Sequence, residues 1–245
     1  MYRESSWDMK RVVSIIGDLS VFYWISSTVS LVLGKHIVWD SFISFVIFLV
    51  LRLANDLRVP LLTLAVSSAS GRLFDIVDWS DGLAIVRIRM RGGGGLRVFF
   101  SLSALFFAIT LIAAFARVWP TYLESSKLLT VLVVFIISIA FYRSNSAYVK
   151  NIGIAVSIFT AIIYATLINL LVWLAIGSNS ALIISVLINF AATIVGCDIL
   201  PIKWAVLNNA RVLVIGGLGL YDAIVLIPTV SYLASSLLIL AVNPS

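Results

Sequence analysis

The chain has 245 residues, 62% of them apolar and 11% charged, with a mean hydropathy of +1.13. Soluble domains run near half apolar and about a quarter charged, so a soluble globular domain does not fit, and the net charge of +6 reads as loop basic residues that set membrane orientation, not as a nucleic-acid surface. A single cysteine, Cys197, and a single histidine, His36, leave no internal disulfide and no zinc site of the usual ligand sets.

In chain order, Met1 to Lys10 is mixed in charge and leads into a full-length apolar run, with no small-residue cleavage site that would mark a removable signal peptide. Spans are predicted at about 12–33, 37–53, 96–116, 128–142, 152–176, 181–200 and 212–241, the last being longer than a bilayer needs. The one long polar region is 54–95. Within it, 59–70 is apolar but too short to cross, and reads as interfacial or buried. The expectation is an all-α integral membrane helix bundle of about seven spans, a single membrane domain over 1–245, with 54–95 as a cytoplasmic loop region.

With seven spans, one side of the membrane receives 14 of the lysines and arginines, and the other receives Lys35, Arg117 and Lys127. The positive-inside bias places the N-terminus and 54–95 in the cytoplasm and the C-terminus outside, in a multi-pass cell-membrane protein. Counting 59–70 as a further span would divide the arginines of that region between the two sides.

Val86-Arg87-Ile88-Arg89-Met90-Arg91 alternates strictly, Gly92 to Gly95 follow, and Leu96-Arg97-Val98 comes next. This predicts a β-hairpin with a glycine turn. Arg87, Arg89 and Arg91 can meet anionic lipid headgroups, or can form a solvated face that helps set topology. No aromatic residues interleave with them, so RNA binding is not indicated. Asp75, Asp78 and Asp81 lack the calcium-loop pattern and read as a solvated turn.

The polar residues inside apolar runs are Asp18, Asn169, Asn189, Thr193, Asp198 and Asp222. An aspartate at a bilayer centre costs about 2.5–3.5 kcal/mol on insertion scales, so each should face the bundle interior or lie near an interface. Asp18 falls near the cytoplasmic end of the first span. Asp198 stands near the end of the sixth span, before Pro201, and Asp222 follows Gly216, Gly217 and Gly219 at the start of the seventh. Read separately, Asp198 sits at the water boundary and Asp222 in a first helical turn, favoured by the helix dipole. Read together, the two lie on adjacent antiparallel helices at similar depth. Such a pair can share a proton and work as acid and base, or can bind a cation or relay protons as broken transporter helices do. Gly217 and Gly219 permit close backbone approach, and Asn189 could add an amide ligand. Gly217-x-Gly219 after Val212 to Ile215 lacks the third glycine and the βαβ context of a dinucleotide site. His36 falls on the outer side, so an inner-side Ser–His arrangement cannot form.

Gly196-Cys197-Asp198-Ile199-Leu200, followed by Ile215-Gly216-Gly217-Leu218-Gly219-Leu220-Tyr221-Asp222-Ala223-Ile224, resembles a family of archaeal and bacterial multi-span membrane proteins of unknown function. Its members carry Gly-Ala-Asp-Leu-Leu and then Gly-Gly-Ala-Gly-Thr-Phe-Asp-Gly-Ile-Phe. Gly153-Ile154-Ala155-Val156 and Val59-Pro60-Leu61 look like that family too, so the resemblance covers most of the chain after about residue 50. It implies a membrane protein and no particular activity. The placement of the two aspartates is also similar to presenilin and signal peptide peptidase, which put one Asp on one helix and Gly-x-Gly-Asp on the next. Here Leu220 and Tyr221 intervene between Gly219 and Asp222, a helical rotation of about 200°.

Three functions remain open at this point. The first is an ion- or proton-coupled or solute-binding membrane protein, with Asp198 and Asp222 at its centre and Asn189, Gly217, Gly219 and Asp18 as further ligand candidates. The second is an intramembrane aspartyl protease acting on a peptide substrate, with Asp198 and Asp222 catalytic. The third is a structural protein whose aspartates cap helices. No cofactor and no metal are implied. The expected partners are the lipid bilayer and a small ion, solute or peptide.

Overall fold

The computed structural model describes residues 4–33, 37–53, 58–59, 86–89, 95–118, 125–149, 153–177, 180–202, 204, 212–215 and 222–242. Seven apolar helices follow one another: α1 (Glu4–Leu33), α2 (Ile37–Leu53), α3 (Leu102–Val118), α4 (Ser125–Ser144), α5 (Ile158–Ile176), α6 (Ser180–Thr193) and α7 (Ala223–Val242). A π-helical segment, Ile194–Ile199, continues α6. Among the described residues, five helices are long and apolar enough to cross a membrane, within Ser14–Leu33, Lys127–Ser144, Ile158–Ile176, Ser180–Ile199 and Ala223–Val242. The protein is an all-α integral membrane bundle.

The bundle is built for a lipid solvent. On α5, Ala161, Ala165, Ile168, Asn169 and Val172 are buried at helical spacing, while Phe159, Ile163, Leu167, Leu171 and Leu174 face outward. The buried stripe is small and partly polar, and the outward stripe is large and apolar, as expected where lipid tails leave no hydrophobic drive between helices and close packing must act instead. α6 is the enclosed helix: 72% of Ser180–Ile199 is buried, against 11% of Lys127–Ser144 on the peripheral α4. α7 packs on α1, α5 and α6. Trp24, Phe107, Phe190 and Tyr232 cluster where α1, α3, α6 and α7 meet.

Short strands precede three of the helices. β1 (Arg58–Val59), β2 (Val86–Arg89), β3 (Gly95–Ser101) and β6 (Val212–Ile215) form one sheet, and β4 (Ser146–Val149) with β5 (Gly153–Val156) forms a hairpin between α4 and α5. The predicted hairpin is present, with Val86 opposite Val98 and Arg87 opposite Arg97. Val98 is flanked by Val86 and Leu213, and Phe100 by Val59 and Ile215. β1 and β2 therefore share one edge of β3, and β6 runs parallel along the other. Ile215 and Ile154 join the main core cluster, so both sheets lie against one end of the bundle.

The predicted spans at 96–116, 152–176 and 212–241 each absorbed a strand. Helices begin only at Leu102, Ile158 and Ala223. Their leading residues, such as Val212-Leu213-Val214-Ile215, are apolar and β-branched, so hydropathy alone extends the helix through them, although they pair as strands. His36, the 59–70 segment beyond Val59, the aspartates Asp75, Asp78 and Asp81, Arg91, Gly217 and Gly219 lie outside the described residues.

Candidate functional site

Four helices are joined at the centre of the bundle by one chain of side-chain hydrogen bonds. The Tyr142 hydroxyl on α4 donates to Asn189 Oδ1 on α6 (2.9 Å). Asn189 Nδ2 donates to Asn169 Oδ1 on α5 (2.9 Å), and Asn169 Nδ2 donates to Ser231 Oγ on α7 (3.2 Å). Ser231 in turn donates to the Pro228 carbonyl (3.0 Å). Both asparagines and the tyrosine are fully buried. Pro228 has no N–H and interrupts the α7 ladder; the Thr229 hydroxyl, donating to Val225 O (2.9 Å), and Ser231 supply local bonds there. Ser20 of α1 reaches Thr229 (3.3 Å). Asn189, a sequence-predicted ligand, thus has both ends of its amide engaged. It stands nine residues before Asp198, about 14 Å along a helix.

One turn beyond this network α6 changes pitch. Leu200 N–H bonds to Val195 O, an i to i+5 bond. Such π turns recur at functional sites because they re-aim a side chain and disturb the regular ladder. Gly196 makes the segment fit: a Cβ there would stand 2.8 Å from Tyr142 Cβ and 2.9 Å from Ile139 O. The Cys197 thiol donates weakly to Tyr142 O (3.8 Å). The next residue is Asp198. It is partly exposed as a whole, yet its Oδ2 is buried and has no hydrogen-bond partner among the described residues.

Asp222 ends the other side of the connection. Its carbonyl accepts Val225 N–H (3.0 Å) and Leu226 N–H (2.8 Å), and its Oδ1 accepts Ile224 N–H (3.2 Å). It is the N-cap of α7, the position that favours a short acidic side chain. Asp198 thus stands on the π segment, and Asp222 caps the next helix.

The Arg143 guanidinium lies 3.8 Å over the ring of Trp204, and Trp204 N–H bonds to Pro201 O (2.8 Å) to bring the indole back toward α4. Asp18 is ion-paired with Arg52 of α2, at the sheet end of the bundle. Among the described residues no three His, Cys, Asp or Glu side chains converge as metal ligands.

Residues 98–234, more than half of the chain, match the family model described as "Protein of unknown function (DUF1614)". The chain belongs to this family. The match runs from β3 into α7 and takes in the polar network, the π segment and both aspartates. It begins later than the resemblance from about residue 50 suggested, and leaves Val59-Pro60-Leu61, α1 and α2 outside. No curated protein and no solved structure matches the chain.

Sequence reading did not single out Tyr142, Ser231 or the Arg143–Trp204 contact. Tyr142 and Arg143 end an apolar run, and Arg143 counts there only among the basic residues that set orientation. Only the fold shows that one is buried and the other stacks on Trp204, beyond the π segment. Serines at 231, 235 and 236 recur at helical spacing in α7, a signal for a polar inner face that was available.

Proposed function

We propose that this protein binds a small cation, a proton or an alkali ion, at Asp198 and Asp222, as part of an ion-coupled membrane function. The observation that carries the reading is the buried Oδ2 of Asp198, which has no hydrogen-bond partner among the described residues and stands on a π turn within a membrane helix. A carboxylate oxygen without a donor is costly in such a place, and the neighbouring charge that acts on it, from Asp222, has the same sign. A cation relieves both penalties at once. Interrupted membrane helices commonly supply the ligands of such ion sites. With two carboxylates and no third acidic ligand among the described residues, the donor set suits a monovalent ion better than a divalent one. We place the sheet end in the cytoplasm on the basic-residue count, and propose anionic lipid headgroups as partners of Arg87, Arg89 and Arg91 on their sequence pattern.

The test uses purified protein in lipid nanodiscs. The thermal unfolding midpoint is measured against NaCl, with choline chloride holding ionic strength constant, and separately against pH. A bound ion stabilises the folded state in proportion to ln(1 + [L]/Kd). Wild type should respond to Na+ or to acid, and Asp198→Asn, with unchanged circular dichroism, should lose that response. Equal responses in the two proteins would remove Asp198 from the site.

The aspartyl-protease reading draws on the same two residues, since they lie on consecutive helices in electrostatic reach. A proteolytic dyad shares one proton between touching carboxyl groups. Here Asp198 Oδ2 has no hydrogen-bond partner among the described residues, and Asp222 Oδ1 caps a helix. Cleavage of an apolar helical peptide, abolished by either Asp→Asn change, would put this reading first.

A further inference from the structure

We infer that the leading part of α7 with its cap, residues 222–227, is a gate that pivots about Pro228 and carries Asp222 to and from a cation held at Asp198. The inference rests on the cation-site reading above and adds its regulation. Pro228 divides α7 into two unlike parts. Ahead of it, every residue after Asp222 is apolar: Ala223, Ile224, Val225, Leu226 and Ile227. None of these side chains can hydrogen-bond to a neighbouring helix, and Ile224, Val225 and Ile227 pack in the apolar clusters of the bundle. Beyond Pro228, α7 is fastened by directional contacts. Ser231 accepts from Asn169 of α5 (3.2 Å), and Ser235 donates to Thr166 O of the same helix (3.5 Å). The Tyr232 ring stands 5.1 Å from that of Trp24 on α1.

The leading part is bonded to itself. Asp222 takes the N–H groups of Ile224, Val225 and Leu226, so the turn and its carboxylate move as one body. Pro228 has no N–H to give to Ile224 O, and a proline ring crowds that carbonyl, so the helical ladder is weakest where the two parts join. A small helix shift breaks directional bonds, whereas one apolar contact replaces another at little cost. Asp198 belongs to the fixed side. Its π segment is pressed against α4 at Gly196, and the Cys197 thiol bonds to Tyr142 O. With the turn in, the cation has two carboxylates; with the turn out, it has one. A ligand shifts such an equilibrium by its differential affinity for the two states. A bound cation therefore holds the gate in, and its release lets the gate out.

The experiment is amide hydrogen exchange of the protein in nanodiscs, in NaCl and in choline chloride of equal ionic strength. It compares the amides of 223–227 with those of 232–242, since exchange reads local opening. Na+ at about ten times its apparent Kd should slow the leading amides about tenfold and leave the others unchanged. Pro228→Ala restores the missing bond, and should slow the leading amides in choline about fivefold, the scale of one net backbone hydrogen bond. Thr229→Val removes the hydroxyl that bonds to Val225 O and Leu226 O, and should speed them; it decides alone if Pro228→Ala does not fold. A proline that only shapes the helix predicts that the variants move both sets of amides together, or neither. Either result overturns the inference. So does an unfolding midpoint that responds to Na+ while the leading amides do not, and in that case the cation site stands. A midpoint that responds to neither Na+ nor acid removes the cation site, and the gate with it.

Discussion

Gly196 of the π segment lies so close to Tyr142 of α4 that a Cβ at position 196 would stand 2.8 Å from Tyr142 Cβ. Neither that atom nor Ile139 O at 2.9 Å belongs to the free end of a side chain. Gly196→Ala must push α4 and the π segment apart. The expected cost is about 2–3 kcal/mol, the upper range for overpacking a core, measured by thermal or denaturant unfolding in detergent. Because the displaced segment carries Asp198, the cation response should weaken as well. A well-folded Gly196→Ala protein of wild-type stability would show that this contact is not tight.

The asparagine network should be energetically coupled. Interhelical hydrogen bonds in membranes average about 0.6 kcal/mol and reach about 1.7. Asn189→Ala and Asn169→Ala each leave a buried partner unsatisfied, so each should cost about 1–2 kcal/mol. The double variant should cost less than the sum, and a double-mutant cycle reads the difference. Strict additivity would mean that the Asn189–Asn169 bond contributes nothing. Cation binding at Asp198 should survive both changes if the protein stays folded, because the network is separate from that carboxylate.

Asp222 has two separable roles. As N-cap of α7 it accepts Ile224 N–H, and asparagine caps about as well as aspartate. Asp222→Asn should therefore change stability by only a few tenths of a kcal/mol, while Asp222→Ala should cost about 1 kcal/mol. Both remove a charged ligand of the proposed cation site and should weaken Na+ binding alike. Unfolding curves and Na+ titrations of the two variants separate the roles. Equal stability loss in both would argue against the cap.

The Asp18–Arg52 pair joins α1 to α2 and is partly open, with side chains 26% and 47% exposed. Pairs of this kind contribute about 0–1 kcal/mol and are screened by salt. Asp18→Asn should lower stability by no more than that, with a smaller effect at high ionic strength and no change in cation affinity. A large loss of Na+ response in Asp18→Asn would bring Asp18 into the site after all.

Much of the architecture was legible in the residues. The seven predicted apolar runs correspond to the seven long apolar helices among the described residues, because apolar length is a one-dimensional property that a bilayer reads directly. The alternation of Val86 to Arg91 and the glycines after it specified a hairpin, since strand period and turn chemistry are local. The cost of carboxylates in apolar surroundings marked Asp198 and Asp222 before any fold was known, and Asp222 in a first helical turn was among the alternatives. The strands ahead of α3, α5 and α7 were not legible, because a β-branched apolar stretch looks the same in a helix as in a strand until its pairing partner is known. For β6 that partner is β3, more than a hundred residues earlier.

The sequence by itself determined that this chain enters a membrane, how many helices it forms and which polar residues must be accounted for inside them. These follow from hydropathy, spacing and the cost of burying charge, all of which depend on a residue and its near neighbours. Only the tertiary structure decided which polar groups meet: that Asn189 is bonded to Tyr142 and Asn169 rather than left for a ligand, that Asp18 is paired with Arg52, that Asp222 caps its own helix, and that Asp198 Oδ2 stands on a π turn without a donor among the described residues. Hydrogen bonds and close contacts act over about 3 Å and depend on how separate helices are rotated against one another. Each helix's rotation is set by packing against all its neighbours, and no local stretch of sequence contains that information.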